Sequence, residues 1–467
     1  MTASDMKVQV KGPTTKVDTK AGEESFKFRF ILRLSTFQIG SAMADILMTS
    51  VWNRIMISNF GIPAWPVGLL IALRYLLFPL SLWAGYQSDN HPILRLHRTP
   101  YIWFGRFLMF ISFPFLGLSL GRLADNSGDV LGWLLALLCF LLYGAGTLIS
   151  GSPFLALVRD SAPKEKQGLA ISTVQTVLIA FFPVSAIAFG YWLETYNQTT
   201  FWQVIFFTMI VAAFFWIFAI IRMEKPKIEN KITSEGPTLS SFIETFKKIW
   251  NDRRTRHFFA FLAVGTVAAW AQDNVLEPFG AEVFDMPVGQ TTRLNAYWQG
   301  PLVVVLVLVA FIRRKYPPEE QTGITRFGLV LMTFGMVLLG LSSIVSNTNL
   351  VIFGLVIFGA GFGFFTFGAF SLLAVMTTDI EAGAYLSLWT ICILVSRGLG
   401  ISLGSILRDI FIALTNTPEL AYGAIFFLEA VGLLVAAQLL SKRDILGFAR
   451  DSGRINRNQL SASATDM

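Results

Sequence analysis

The sequence predicts an all-α membrane protein. Twelve transmembrane helices form two six-helix pseudo-repeats, with both termini on the cytoplasmic side. Three observations carry this. Of 467 residues, 54% are hydrophobic and only 14% charged, and the mean hydropathy is +0.59, a balance foreign to soluble domains of this length. The apolar residues fall into runs of about 20, the length that crosses a hydrocarbon core of roughly 30 Å. Lys and Arg gather in alternate loops, as the positive-inside rule requires.

The elements follow in chain order. Residues 1–29 are polar and lack the apolar centre of a signal peptide, which predicts a disordered cytoplasmic tail. Six apolar runs at 31–56, 66–86, 101–121, 130–157, 169–192 and 201–221 make an N-terminal bundle, residues 30–221. A connector, 222–256, leads to runs at 257–276, 291–312, 327–345, 350–376, 384–405 and 420–440. These make a C-terminal bundle, 257–441, followed by a cytoplasmic tail, 442–467. With the N-terminus inside, the inner segments collect about 29 of the 37 Lys and Arg, while the outer loops hold about three, Arg122, Arg293 and Arg408. Basic residues so placed account for the pI near 9.4 and exclude nucleic acid as its cause. Cys139 and Cys392 both lie inside apolar runs, so no disulfide framework is expected.

Within the connector, Leu239, Phe242, Ile243, Phe246, Ile249 and Trp250 recur at helical spacing beside Lys247 and Lys248. Pro237 and the Ser241-x-x-Glu244 box supply start signals. The pattern predicts an amphipathic helix on the cytoplasmic surface, tethering the halves. The halves echo each other. Leu155-Ala-Leu-Val-Arg159-Asp160 with Gly168 and Ser172 can be laid against Leu373 to Asp379 with Gly383 and Ser387. Gly359-x-x-x-Gly363 and Gly400-x-x-x-Gly404 are expected to mark close helix crossings. Between the second and third runs stands Gly85-Tyr-Gln-Ser-Asp89-Asn-His91, followed by Arg95 and Arg98. It reads as a polar cytoplasmic loop. This Gly-x-x-x-Asp pattern with a following Arg, and two six-helix halves joined by a long linker, resemble the major facilitator superfamily.

Ionisable groups inside a span are costly and mark functional candidates. Asp45 lies near the middle of the first span, and Arg74 reaches a similar depth, roughly 12 Å into the second at 1.5 Å per residue; the two are expected to pair. Arg397 and Glu429 share a depth in spans 11 and 12 and make a second candidate pair. Structural pairing and a transport or ligand role both fit such charges. The seventh span ends in Gln272-Asp273-Asn274-Val-Leu-Glu277-Pro278, where Pro278 is expected to stop the helix and the polar side chains to face a cavity or another helix. His91, His97 and His257 all fall at cytoplasmic ends. Any chlorophyll in mid-membrane therefore needs Gln272, Asn274, Glu277, a backbone carbonyl or water as its ligand rather than imidazole. The chain shows no phosphate-binding Gly loop, no metal-ligand cluster and no Asp-rich pair for Mg²⁺-diphosphate, so no enzyme is expected.

Several separated stretches resemble the PucC (light-harvesting assembly) family, a branch of that superfamily. They are Asn53-Arg54-Ile-Met-Ile57, Ile62-Pro63-Ala64-Trp65, Gly85 to His91, Arg98-Thr-Pro100-Tyr-Ile-Trp103, Gln272-Asp273 through Glu277-Pro278-Phe-Gly280 into Val288 to Thr292, and Arg408-Asp409. The resemblance spans about residues 30–440, and the Phe-rich, Lys-poor membrane region is similar to cyanobacterial members. It implies a protein of a photosynthetic membrane, thylakoid or inner, that helps assemble chlorophyll-binding antenna or photosystem subunits and holds or delivers (bacterio)chlorophyll. It implies that Asp89 and Arg98, beside Gly85, brace helix ends and control opening. It also makes Asn53, Arg54, Gln272, Asp273, Asn274 and Glu277 the candidate pigment or partner surface. Residues alone favour a different class: a secondary active transporter of an amphipathic small molecule, with Asp45 and Asp273 as coupling or substrate groups.

Overall fold

The computed structural model describes residues 28–163, 166–224, 250–313, 316–376, 382–440 and 442–451. Among the described residues, eleven helices are long and apolar enough to cross a membrane, and a bent pair makes a twelfth span. The first half comprises α1 (Arg29–Asn59), α2 (Ala64–Asn90), α3 (Thr99–Asp125), α4 (Val130–Asp160), α5 (Gln167–Trp192) and α6 (Gln198–Ile220). The second half begins with α7, whose limbs Arg253–Asn274 and Leu276–Phe284 meet at 45°. It continues through α8 (Val288–Ile312), α9 (Thr322–Val345), α10 (Thr348–Val375), α11 (Ala382–Thr415) and α12 (Pro418–Leu439). A short α13 (Lys442–Asp451) follows. Among the described residues the one β feature is a bridge between Ile93 and Leu96. The N-terminal tail, most of the connector with its expected amphipathic helix, and the end of the C-terminal tail lie outside the described residues.

Each half has its own apolar core. Phe37, Trp52, Phe113, Phe140 and Trp216 centre the first; Phe259, Trp298, Phe358 and Phe362 centre the second. Helices approach most closely where side chains vanish. On α10, a Cβ at Gly359 would lie 2.0 Å from the Trp298 carbonyl and one at Gly363 2.8 Å from the Leu302 carbonyl, both on α8. Gly400 and Gly404 bring α11 equally close to Val267 and Ala271 of α7, as small-residue faces do. The halves meet most extensively along α2 against α11 and α5 against α8, and also where α1 faces α7 and α8.

Three expectations need correction. The segment Gly85 to Asp89 is the end of α2, not a loop; the chain leaves the helix only at His91 and turns sharply, with Leu94 and Arg95 at positive φ. Gly85 is not demanded by space, since a Cβ there would rest 3.6 Å from Ser152. Pro278 does not stop α7. It occupies the first turn of the second limb, where a missing N–H costs nothing because first-turn donors have no partner within the helix. The break comes earlier, in a 3₁₀ turn over Gln272–Asn274. Finally, α11 runs on to Thr415, so Arg408 and Asp409 are helical rather than in an outer loop. Their charges end a hydropathy count early, but partners in the fold satisfy them.

Among the described residues, Arg95, Arg159, Lys166, Arg222, Arg253 and Arg313 lie at helix ends or turns on one side of the bundle and define a basic face. There Arg98, 9% exposed, ties three helix ends together: its guanidinium contacts Asp89, donates to Ser88 Oγ at 2.8 Å and reaches Asp160 of α4 at 3.7 Å. The start of α3, which lacks a side-chain cap of its own, is capped from afar. Glu224, just past α6, accepts from the backbone amides of His97, Arg98 and Thr99 at 2.7–3.1 Å. Burial works to raise this carboxyl, but those amide hydrogen bonds outweigh it and hold its pKa below the ordinary 4.5.

Candidate functional site

The site begins with two irregular helices facing each other across the halves. In α1, π-helical turns at Leu47–Val51 and Ile55–Asn59 bracket Trp52–Arg54. Such turns are wider than an α-helix and recur at functional positions. In α7, the 3₁₀ turn and 45° bend present Gln272, Asp273 and Asn274 at the same level. Asn53 Nδ2 donates to the Asn274 carbonyl at 2.8 Å, and Arg54 donates to the Met286 carbonyl at 3.1 Å. Asn274 Nδ2 donates to Ser405 of α11 at 2.5 Å. Asn295 of α8 donates to Glu277 at 2.7 Å and to Ser50 of α1 at 3.3 Å. Thus Asn53, Arg54, Asn274 and Glu277 belong to one hydrogen-bonded seam between the halves.

Toward the face opposite the basic one, an ion pair within the second half lies beside the seam. Arg408 of α11 makes two bonds to Glu282, at 2.5 and 2.6 Å, and Tyr422 donates to the same carboxylate at 2.8 Å. Its neighbour Asp409 crosses the interface. The two carboxylate oxygens accept from the backbone N–H groups of Ala64 and Trp65, at 3.1 and 2.8 Å, at the N-terminus of α2. That end has no cap within its own half, and a carboxylate is the charge a helix N-terminus favours. Gly289 against Gly190 brings α8 onto α5 at the same end, with Gly289 N–H donating to the Glu194 carbonyl at 3.4 Å. These hydrogen bonds between halves cluster on the side away from the basic face, so the molecule is closed there.

A chain of charge lies deeper, near mid-membrane. Arg74 donates to Asp45 at 2.7 Å, the expected pair, and Tyr143 donates to the same carboxylate oxygen at 2.5 Å. Arg74 also contacts the Tyr75 hydroxyl and lies 4.6 Å from that ring's centroid. On the other side of Tyr75, at 4.9 Å, stands Arg397 of the second half. Its guanidinium lies over the Trp270 ring at 3.5 Å and 3.7 Å from Asp273. Tyr75 therefore links Asp45–Arg74 of one half to Arg397–Asp273 of the other. Arg397 pairs with Asp273, not with Glu429. Depth matched Arg397 to Glu429, but rotation about the helix axes turns them apart. Both Glu429 oxygens are buried without a hydrogen-bond partner among the described residues.

Three contributors escape a reading of motifs. Arg106, in mid-α3, is buried between the rings of Phe37 and Trp216, at 4.2 and 4.8 Å; its charge inside an apolar run is the signal that could have found it. Glu282 and Glu224 carried no local signal, since their partners lie 126 and 125–127 residues away. Gln272, Asn274 and Glu277 are at most 2% exposed, and Asn274 and Glu277 are engaged by neighbours. Neither amide atom of Gln272 has a hydrogen-bond partner among the described residues. Among the described residues, no group of three or more His, Cys, Asp or Glu could hold a metal ion.

The family described as "PUCC protein" matches residues 51–445. Protein PucC of Rhodovulum sulfidophilum is 30% identical over 406 residues, covering 85% of this chain and 89% of that protein. Protein PucC of Rhodobacter capsulatus is 30% identical over 422 residues, covering 87% and 90%. A Rhodobacter capsulatus protein named "Bacteriochlorophyll synthase 44.5 kDa chain" is 24% identical, covering 88% and 94%. Among solved structures, a bacterial homolog of the human lysosomal transporter Spinster, inward-facing and unoccupied, superposes with a TM-score of 0.65 at 16% identity, covering 91% of this chain and 99% of that one. At that identity the likeness speaks for the fold alone, a transporter-like bundle of the major facilitator type.

Proposed function

The chain belongs to the PUCC protein family, and from that premise we propose that it is an assembly factor for chlorophyll-binding light-harvesting or photosystem subunits in a photosynthetic membrane, thylakoid or inner. The observation that carries the reading is the extent of the match, residues 51–445, which takes in both halves and the seam between them. The proposal is non-enzymatic. The transporter-like fold supports that part, and the word synthase in one relative's name speaks against it. Phe104, Phe107, Phe206 and Phe214 on α3 and α6 are all more than half exposed, an aromatic face that supports docking of client helices. Aromatic faces of this kind gain by stacking and dispersion on flat apolar partners. Contact with (bacterio)chlorophyll is part of the proposal, with the client's pigment rather than Gln272 as its centre.

The test is to purify the tagged protein in mild detergent from its native membrane, record the absorption spectrum and identify its companions. Chlorophyll absorption with antenna or photosystem subunits is expected. A colourless protein without companions overturns the reading.

A specific observation favours a second reading, a secondary active transporter of an amphipathic small molecule. Asp45 and Asp273 remain 22% and 14% exposed in mid-membrane between the halves, where a coupled proton or substrate would meet them. On that reading, Asp45→Asn or Asp273→Asn abolishes flux in vesicles while sparing antenna assembly.

A further inference from the structure

Of the arginines within the spans near the seam or the charge chain, most are committed: Arg54, for one, donates to Asn59 and to the Met286 carbonyl. Arg74 is 7% exposed and bonded to Asp45 at 2.7 Å. Arg408 is 12% exposed and doubly bonded to Glu282. Arg106 is 5% exposed between two aromatic rings. Arg397 differs. Its side chain is 23% exposed, and its contact to Asp273, at 3.7 Å, is longer than a hydrogen bond. Ser396 and Gly398 beside it are buried, and α11 is flanked by α2 and α7. The exposure therefore opens into the space between the halves, not toward lipid. That space is sealed toward the opposite face by the seam, so its approach is from the basic face.

What surrounds the guanidinium is flat and apolar. The Trp270 ring lies beneath it at 3.5 Å and the Tyr75 ring beside it at 4.9 Å. Trp270 is itself fixed edge-on against Trp298 and Phe362, at 6.0 and 5.5 Å. A cation that rests on a rigid aromatic floor, with its tip held only by the long Asp273 contact, is preorganised for a planar oxyanion, because guanidinium and carboxylate match as two parallel forks. The rings that hold the cation extend the grip to an apolar body attached to that anion.

We propose that Arg397, Trp270 and Tyr75 form a binding site for the carboxylate of a planar, amphipathic anion that enters between the halves from the basic face. Asp273 competes for the same guanidinium and sets the affinity: the ligand's carboxylate replaces that of Asp273. A neutral ester or amide of the same body gains only the aromatic contact. The site stands apart from the assembly reading, whose test concerns companions and pigment, so either fails without the other.

The experiment uses the full chain in nanodiscs and two probes, naphthalene-2-carboxylate and naphthalene-2-carboxamide, titrated by calorimetry. The carboxylate is expected to bind at least about tenfold more tightly than the amide, the scale of a charge-assisted hydrogen bond. Arg397→Gln removes that preference and leaves the amide unchanged. Asp273→Asn, which keeps the cation and removes its competitor, tightens the carboxylate alone and serves as the decisive variant should Arg397→Gln fail to fold. Equal binding of the two probes, no binding of the carboxylate, a preference that survives Arg397→Gln, or an unchanged affinity in Asp273→Asn overturns the proposal.

Discussion

The Asp45–Arg74 pair permits a quantitative test because its two members are unequally buried. Asp45→Ala leaves the Arg74 guanidinium, 7% exposed, without its carboxylate, and stranding one member of a buried pair costs about 3–5 kcal/mol. Arg74→Ala leaves Asp45, which is 22% exposed and keeps the Tyr143 hydroxyl at 2.5 Å. Water and that hydrogen bond relieve the charge, so about 1–3 kcal/mol is expected. The double variant strands no charge and loses only hydroxyl partners, about 1–2 kcal/mol. The singles thus exceed the double by roughly 3–6 kcal/mol. The molecule supplies its own reporter: Cys139 is a free, fully buried thiol in the first half. In a Cys392→Ser background, reaction of Cys139 with a thiol-activated dye during heating follows unfolding of that half. At roughly 2–4 °C per kcal/mol for a unit of this size, Asp45→Ala should lower the midpoint by roughly 6–20 °C, and adding Arg74→Ala should restore much of it. Losses that simply add, or Arg74→Ala proving the worse single change, would refute the reasoning.

Three further outcomes are expected. The pKa of Glu224 is lowered in the folded chain, so its contribution to stability is full above about pH 4.5 and is lost as pH falls through the folded value; Glu224→Gln should be less stable at pH 6 by about 1–2 kcal/mol and show a smaller further loss on acidification, measured as thermal midpoints at pH 6 and pH 4. Asp409→Asn weakens the cap on α2 and should speed labelling of a cysteine placed at Ile62, 2% exposed, in a background without Cys139 and Cys392; an unchanged rate would show that the capping contact does not hold this end shut. Glu429→Leu removes two buried, unpartnered oxygens and should raise the thermal midpoint by the equivalent of about 1–3 kcal/mol, a gain that would be absent if another group satisfied the carboxylate.

The spans were legible because hydrophobic length is a one-dimensional quantity, and so was the Asp45–Arg74 pair, whose members share a depth and sit on adjoining helices. Arg397 shows where that logic ends. Depth is readable from rise per residue, but the direction of a side chain around a helix depends on packing. Glycines on α10 and α11 set that packing through contacts with helices far away in sequence. The break in α7 was misplaced for a related reason: proline is conspicuous, yet Pro278 occupies a position where it is tolerated, while the turn itself falls on Gln272–Asn274. Asn53, Arg54, Asn274 and Glu277 were recognisable as a set. That they hold one another across the halves, at most 7% exposed, was not.

An energised membrane drops its potential across whatever insulates best. Where water reaches Asp45 and Arg397 from the basic side, most of the voltage would fall across the sealed portion beyond them. Moving one elementary charge through 100 mV is worth about 2.3 kcal/mol, and that field is concentrated on the short stretch containing Asn53, Arg54, Glu282, Arg408 and Asp409. The seam is thus the dielectric of a thin capacitor, and a gap in it would let ions cross.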